Sequence, residues 1–162
     1  MNHALVLACG NPLRGDRGIA VVLARYFRAE FCEPETGIRS SQQWTPELAE
    51  PISQSDIVLF VDASATLPPG KIQFKIVEPA QEFSTSMTKT ISPELLALSV
   101  QLYSRTPECA YLLTIGGESF DHPDHLSEPV RSAIPVALDL IKAALSGVSL
   151  HENPFRSQNV PA

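Results

Sequence analysis

Short apolar runs alternate along this chain with stretches in which apolar residues recur every three or four positions, the pattern of strands and helices taken in turn. Ala4 to Cys9 is the first apolar run. From Ile19, the residues Val22, Leu23, Tyr26 and Phe27 recur at helical spacing, and Glu33-Pro34 stops that helix. Ile38 to Trp44 predicts a weaker strand. Thr45-Pro46-Glu47 then opens a short helix, with Thr45 as N-cap and Pro46 at the first helical position. Ile57 to Val61 is a continuous apolar run, which predicts a central strand buried on both faces.

Ile72, Phe74 and Ile76 alternate with Lys71, Gln73 and Lys75, the mark of a half-exposed strand nearer the sheet edge. Only Ala63 to Gly70 separates it from the strand before. Parallel neighbours need a crossover of about a dozen residues or more, so this strand is expected to run antiparallel. Ser92-Pro93-Glu94 repeats the cap-and-proline signal and opens a helix through Leu95, Leu96, Leu98, Val100 and Leu102. Ala110 to Ile115 predicts a further buried strand, closed by Gly116-Gly117. Ser127 caps a last helix reaching about Leu145, in which Pro135 predicts a kink. From Leu150 the chain has no period. The expected layout is one domain over 1–149 and a tail over 150–162, whose removal should leave the melting temperature nearly unchanged. The predicted architecture is a three-layer α/β/α sandwich on a mixed, mostly parallel five-stranded sheet with one antiparallel strand.

Composition then narrows the function. A length of 162 residues is enough for one domain with a real core. A net charge of −6 argues against nucleic acid as a partner, because phosphate neutralisation needs clustered lysine and arginine. No apolar stretch approaches the roughly 20 residues of a membrane helix. The apolar run before Cys9 is too short for a signal peptide and lacks a cationic region ahead of it. The three cysteines, Cys9, Cys32 and Cys109, are odd in number and far apart, suiting neither a disulfide framework nor a cysteine metal cluster. A reduced, cytoplasmic protein is the expectation.

Candidate chemistry gathers where strands end. The first strand runs into Gly10-Asn11-Pro12 and then Asp16, and the run Ile57 to Val61 delivers Asp62. Ligands in open α/β sheets sit beyond the carboxyl ends of strands, so the two carboxylates are expected to share one cleft, within reach of one ion. Asp16 has a competing structural role as a cap for the helix that follows. Asp62, at the end of a buried strand, must find partners or reach water. Gly10, Gly15 and Gly18 match neither dinucleotide-binding nor P-loop spacing. His122 and His125 resemble metal ligands by composition but read as a solvated loop. Cys9 has no histidine placed as its base, and Ser64 lacks a nucleophile-elbow context.

The segment Gly10-Asn11-Pro12-Leu13-Arg14-Gly15-Asp16, followed by Gly18, resembles the opening motif of the nickel–iron hydrogenase maturation proteases. The likeness continues in order through Gln43 to Glu50, Phe60-Val61-Asp62-Ala63, Ser92 to Leu98, Leu102-Tyr103, Leu113 to Gly117, Phe120 and Leu126-Ser127. It is nearest the branch serving bidirectional or related cytoplasmic hydrogenases. The resemblance implies an endopeptidase that removes the C-terminal peptide of a hydrogenase large-subunit precursor once nickel is inserted. It implies no tightly held cofactor, nickel being engaged on the substrate by two acidic residues and a histidine. Carried over by motif, the acidic residues are Asp16 and Asp62, with Asn11 shaping the site. The histidine position falls on Lys89, and Arg17 stands where a second acidic residue is usual. A lysine ammonium is a poor metal ligand and can instead pair with an aspartate. The resemblance thus leaves two functions open: a working endopeptidase, or a catalytically silent relative that binds a hydrogenase subunit without cleaving it. Lys89 is expected to lie near the two aspartates in the cation's place, so that Lys89→His restores a three-ligand site and tightens metal binding.

Overall fold

The structure, a computed structural model, describes residues 3–30, 36–81 and 91–146. Five strands form one sheet: β1 (Ala4–Cys9), β2 (Thr36–Ser41), β3 (Ile57–Ser64), β4 (Ile72–Ile76) and β5 (Cys109–Gly116), in the order β2-β1-β3-β5-β4. All pairs are parallel except β4 with β5. The expected antiparallel strand is therefore β4, and the mixed sheet is the one read from the sequence. Helices α1 (Ile19–Glu30) and α4 (Glu128–Leu145) cover one face, and α2 (Ala49–Ser53) and α3 (Ser92–Tyr103) the other.

Strand alternation sorts the core between these faces, because successive side chains point to opposite sides. Val6, Leu59, Val61, Leu113 and Ile115 pack with Ile19, Leu23 and Phe27 of α1 and Val130, Ala137 and Ile141 of α4. Leu5, Leu7, Val58 and Phe60 pack with Ile52 of α2 and Leu95 and Leu96 of α3. All are buried, each contributing about 1.5–3 kcal/mol relative to exposure for the larger side chains. β3 is buried on both faces from Ile57 to Val61, as its unbroken apolar run requires.

Three boundaries differ from the sequence pattern. β2 covers Thr36–Ser41 rather than reaching Trp44, because its parallel partner β1 ends with the pair Cys9 and Ser41. The chain then leaves the sheet, and Trp44 turns its ring onto Phe60, with centroids 5.2 Å apart. β3 continues through Asp62 to Ser64, its register with β5 held as far as Gly116. Ser92 lies inside the first turn of α3, and Ile91 is the capping residue. Thr45 does precede the short helical turn Pro46–Leu48, but its side chain makes no cap bond. α4 passes through Pro135 as one helix. The expected helix stop at Glu33-Pro34 and the tail over 150–162 lie outside the described residues.

Candidate functional site

The sheet has one place where chain connections leave in opposite directions: β1 is followed by β2 on one side and has β3 on the other. In open α/β sheets the crevice beyond the carboxyl ends at such a point is where ligands bind. Ala8 pairs with Val61, so Cys9 and Asp62 are the next residues on adjacent parallel strands. Asp62 is two positions beyond Phe60 and shares its face, that of α2 and α3. Its carboxylate is half-buried and accepts the backbone N–H of Ala63 at 2.8 Å.

Cys9 donates its thiol to the carbonyl of Gln42 at 3.4 Å. Burial, and then the negative charge of Asp62, push this thiol up to about 11, against weaker opposition from Arg17 and the backbone at Trp44. Cys9 is therefore protonated at neutral pH, and it is not an activated nucleophile. Alkylation of Cys9 by iodoacetamide, followed by peptide mass mapping, should be slow at pH 7.5 and accelerate steadily towards pH 10. Rapid modification at neutral pH would contradict this environment.

The turn after β1 is built around backbone approaches that only glycine allows. Gly15 has φ +58° and ψ −123°, and a Cβ there would lie 2.6 Å from the carbonyl of Ser119. A Cβ on Gly10 would collide with the carbonyl of Arg17. Asn11 shapes the turn in three ways: its side-chain oxygen accepts from Leu13 N–H, its own N–H donates to the Arg17 carbonyl, and its carbonyl accepts from Arg14 N–H. Gly15→Ala should cost about 1–3 kcal/mol in backbone strain alone, measurable by urea denaturation. Unchanged stability would mean the turn can refold around a side chain.

Asp16 is fully buried, and its carboxylate is already surrounded. Backbone N–H groups of Glu118 (2.8 Å), Ser119 (3.0 Å) and Ser127 (2.8 Å) donate to it, as does the Ser127 hydroxyl at 2.7 Å. Four donors meet this carboxylate, three on Oδ2 and one on Oδ1. Burial pushes the pKa of Asp16 up, but the bonds from Ser119, Ser127 and Glu118 outweigh it and hold the carboxyl below its ordinary value. In this structure the Asp16 carboxylate serves as an anchor between segments. The carboxylate fastens the first turn to the loop after β5 and to the start of α4. Nor does it cap its own helix. Ser127, expected to cap α4 through its hydroxyl, makes no such bond and donates to Asp16 instead.

Next in the chain, Arg17 is exposed, with its guanidinium 5.6 Å from the centre of the Phe120 ring. Its backbone lies over Gly10 beyond β1, whereas Phe120 belongs to the loop after β5. The side chain therefore links the turn after β1 to the loop after β5. His122 and His125 are exposed, with rings 6.2 Å apart. Ser64 is engaged in a local turn with Thr66 and the N–H of Leu67. Among the described residues, no three His, Cys, Asp or Glu side chains are grouped so as to hold one ion. Lys89 lies outside the described residues. Sequence reasoning missed Glu118 and Ser119, whose contribution is through backbone N–H and leaves no residue-type signal.

Solved structures that share this fold include hydrogenase maturation peptidases. The hydrogenase maturating endopeptidase HybD from E. coli matches with a TM-score of 0.70 and 24% identity, over 91% of this chain and 94% of that one. A hydrogenase 2 maturation peptidase from a Thaumarchaeota archaeon matches with a TM-score of 0.67 and 21% identity, over 89% and 98%. An endopeptidase from Escherichia coli, solved in solution, matches with a TM-score of 0.65 and 26% identity, over 90% and 94%. No protein-family model and no curated protein sequence matches the chain. The proteases whose motifs the sequence resembles are thus also those whose solved structures share its fold.

Proposed function

We propose that this chain is a hydrogenase maturation endopeptidase that removes the C-terminal peptide from a nickel-loaded large-subunit precursor in the cytoplasm. The observation that carries the reading is Asp62, a carboxylate at the end of the central strand and beside the switch point of the sheet. It stands in a fold shared with hydrogenase maturation peptidases over about nine-tenths of this chain. No described helix is long and apolar enough to cross a membrane, which is compatible with that setting.

In this reading the nickel arrives as part of the substrate, since the described residues offer no three-donor set of their own. Asp62 accepts a proton from the water that attacks the scissile carbonyl, or orients that water, a role suited to a half-buried carboxylate. Asp16 positions the site without touching substrate: its four bonds fix the two loops that flank Asp62. Asn11 folds the turn between them.

A second reading, in which the chain binds a hydrogenase subunit without cutting it, is favoured by two observations. The buried Asp16 carboxylate is spent on loop anchoring, and the exposed Arg17 puts a positive charge in the turn after β1, close enough to be felt at Cys9. Incubating nickel-loaded precursor with the protein and weighing the product separates the two. Loss of a C-terminal peptide supports the endopeptidase, and a stable complex with intact precursor supports the silent binder. If neither appears, both fail. Lys89→His in the same assay tests whether the replaced histidine limits the rate, with faster cutting expected. Equal rates would show that the position does not matter.

A further inference from the structure

Trp44 is the only tryptophan of the chain. Its indole nitrogen is buried, and among the described residues no acceptor meets it. Such a group is unusual, because a buried N–H without a partner forfeits its bond to water and gains nothing in exchange. Its place in the fold gives the orphan a meaning. The Trp44 ring packs edge-on against Phe60, with centroids 5.2 Å apart and planes at 70°. Asp62 is two residues further along the same face of β3, a step of about 7 Å. The segment leading to Trp44 runs beside Cys9, whose thiol bonds the Gln42 carbonyl. An unpaired donor therefore stands on the face of β3 that carries Asp62, beside the residue one alternate step before it.

We infer that Trp44 is a substrate-binding residue whose indole N–H receives a carbonyl oxygen of the peptide entering the Asp62 cleft. The inference rests on the proposed peptide-processing role for its occupant, and on the structure alone for the donor. A peptide carbonyl is the acceptor that fits. It is neutral, so it gains from a buried N–H without the heavy desolvation cost of a carboxylate. It also recurs along any extended chain laid across the ends of the strands. One such bond fixes the height of the peptide relative to Asp62, so Trp44 sets which peptide bond is presented.

With ¹⁵N-labelled tryptophan the full chain gives a single indole cross-peak. Titration with N-methylacetamide, a minimal peptide carbonyl, should move the indole proton downfield to a plateau. Nickel-loaded large-subunit precursor should move the same resonance. Trp44→Phe keeps a ring against Phe60 but removes the donor, and it should weaken precursor binding about three- to tenfold. An indole proton that N-methylacetamide leaves in place overturns the inference, as does a Trp44→Phe chain that binds precursor with wild-type affinity. If N-methylacetamide shifts the resonance but neither protein binds precursor, the hydrogenase reading fails and the carbonyl site stands.

Discussion

Asp16→Ala should lower the unfolding free energy by about 3–5 kcal/mol, the cost typical of breaking a buried charged network from one side. The substitution strands the N–H groups of Glu118, Ser119 and Ser127 and the Ser127 hydroxyl. Each buried donor left unpaired costs about 1–3 kcal/mol, reduced where the loop relaxes towards water. For a chain of this size the melting temperature should fall by roughly 10 °C or more. Asp16→Asn should be nearly as damaging, since its amide turns a donor towards donors.

The pH dependence has a definite sign. Asp16 is held below its ordinary value in the folded protein, so its contribution is fully present above the unfolded value near 4. It is lost as pH falls through the lower, folded value. The stability gap between wild type and Asp16→Asn, measured by urea denaturation at pH 7 and pH 3, should therefore narrow in acid. A gap unchanged by pH, or a wild-type melting temperature in Asp16→Ala, would remove the anchoring role.

Asp62→Asn should have the opposite profile, with a large loss of activity and little loss of stability. Removing a positioned acid–base group typically costs 10²–10⁴-fold, so cleavage of nickel-loaded precursor should slow by about a hundredfold or more. Asp62 is half-buried at a strand end, and its bond to Ala63 N–H can be taken over by the amide oxygen of asparagine. A change in unfolding free energy of about 1 kcal/mol or less is expected. Cleavage at the wild-type rate by Asp62→Asn would leave the proposed chemistry without its carboxylate. The two aspartates thus separate by experiment, Asp16 by its effect on stability and Asp62 by its effect on cleavage.

Much of this was legible in residue order. The period of apolar positions gave five strands and four helices in the right sequence, because each period matches one way of burying a face. The short link from Ala63 to Gly70 was enough to make β4 antiparallel, since no crossover fits in so few residues. Both aspartates were marked by strand ends alone, and Asn11 by its turn. The end of β2 was misjudged because Trp44 is apolar in sequence yet leaves the sheet to cover Phe60, a long-range contact that no local pattern encodes.

The division between what sequence decides and what the tertiary structure decides falls within the pair Asp16 and Asp62. Sequence placed both carboxylates at the carboxyl ends of strands, where strand direction and turn chemistry are local properties. It could not say where each carboxylate would point. That depends on Ser119 and Ser127, more than a hundred residues further along the chain, whose N–H groups reach Asp16 only once β5 and α4 are in place. Backbone donors have no residue identity to read, so an aspartate bound by them looks in sequence like one left open for chemistry. Tertiary packing alone made one a buried anchor and left the other half-buried at its strand end.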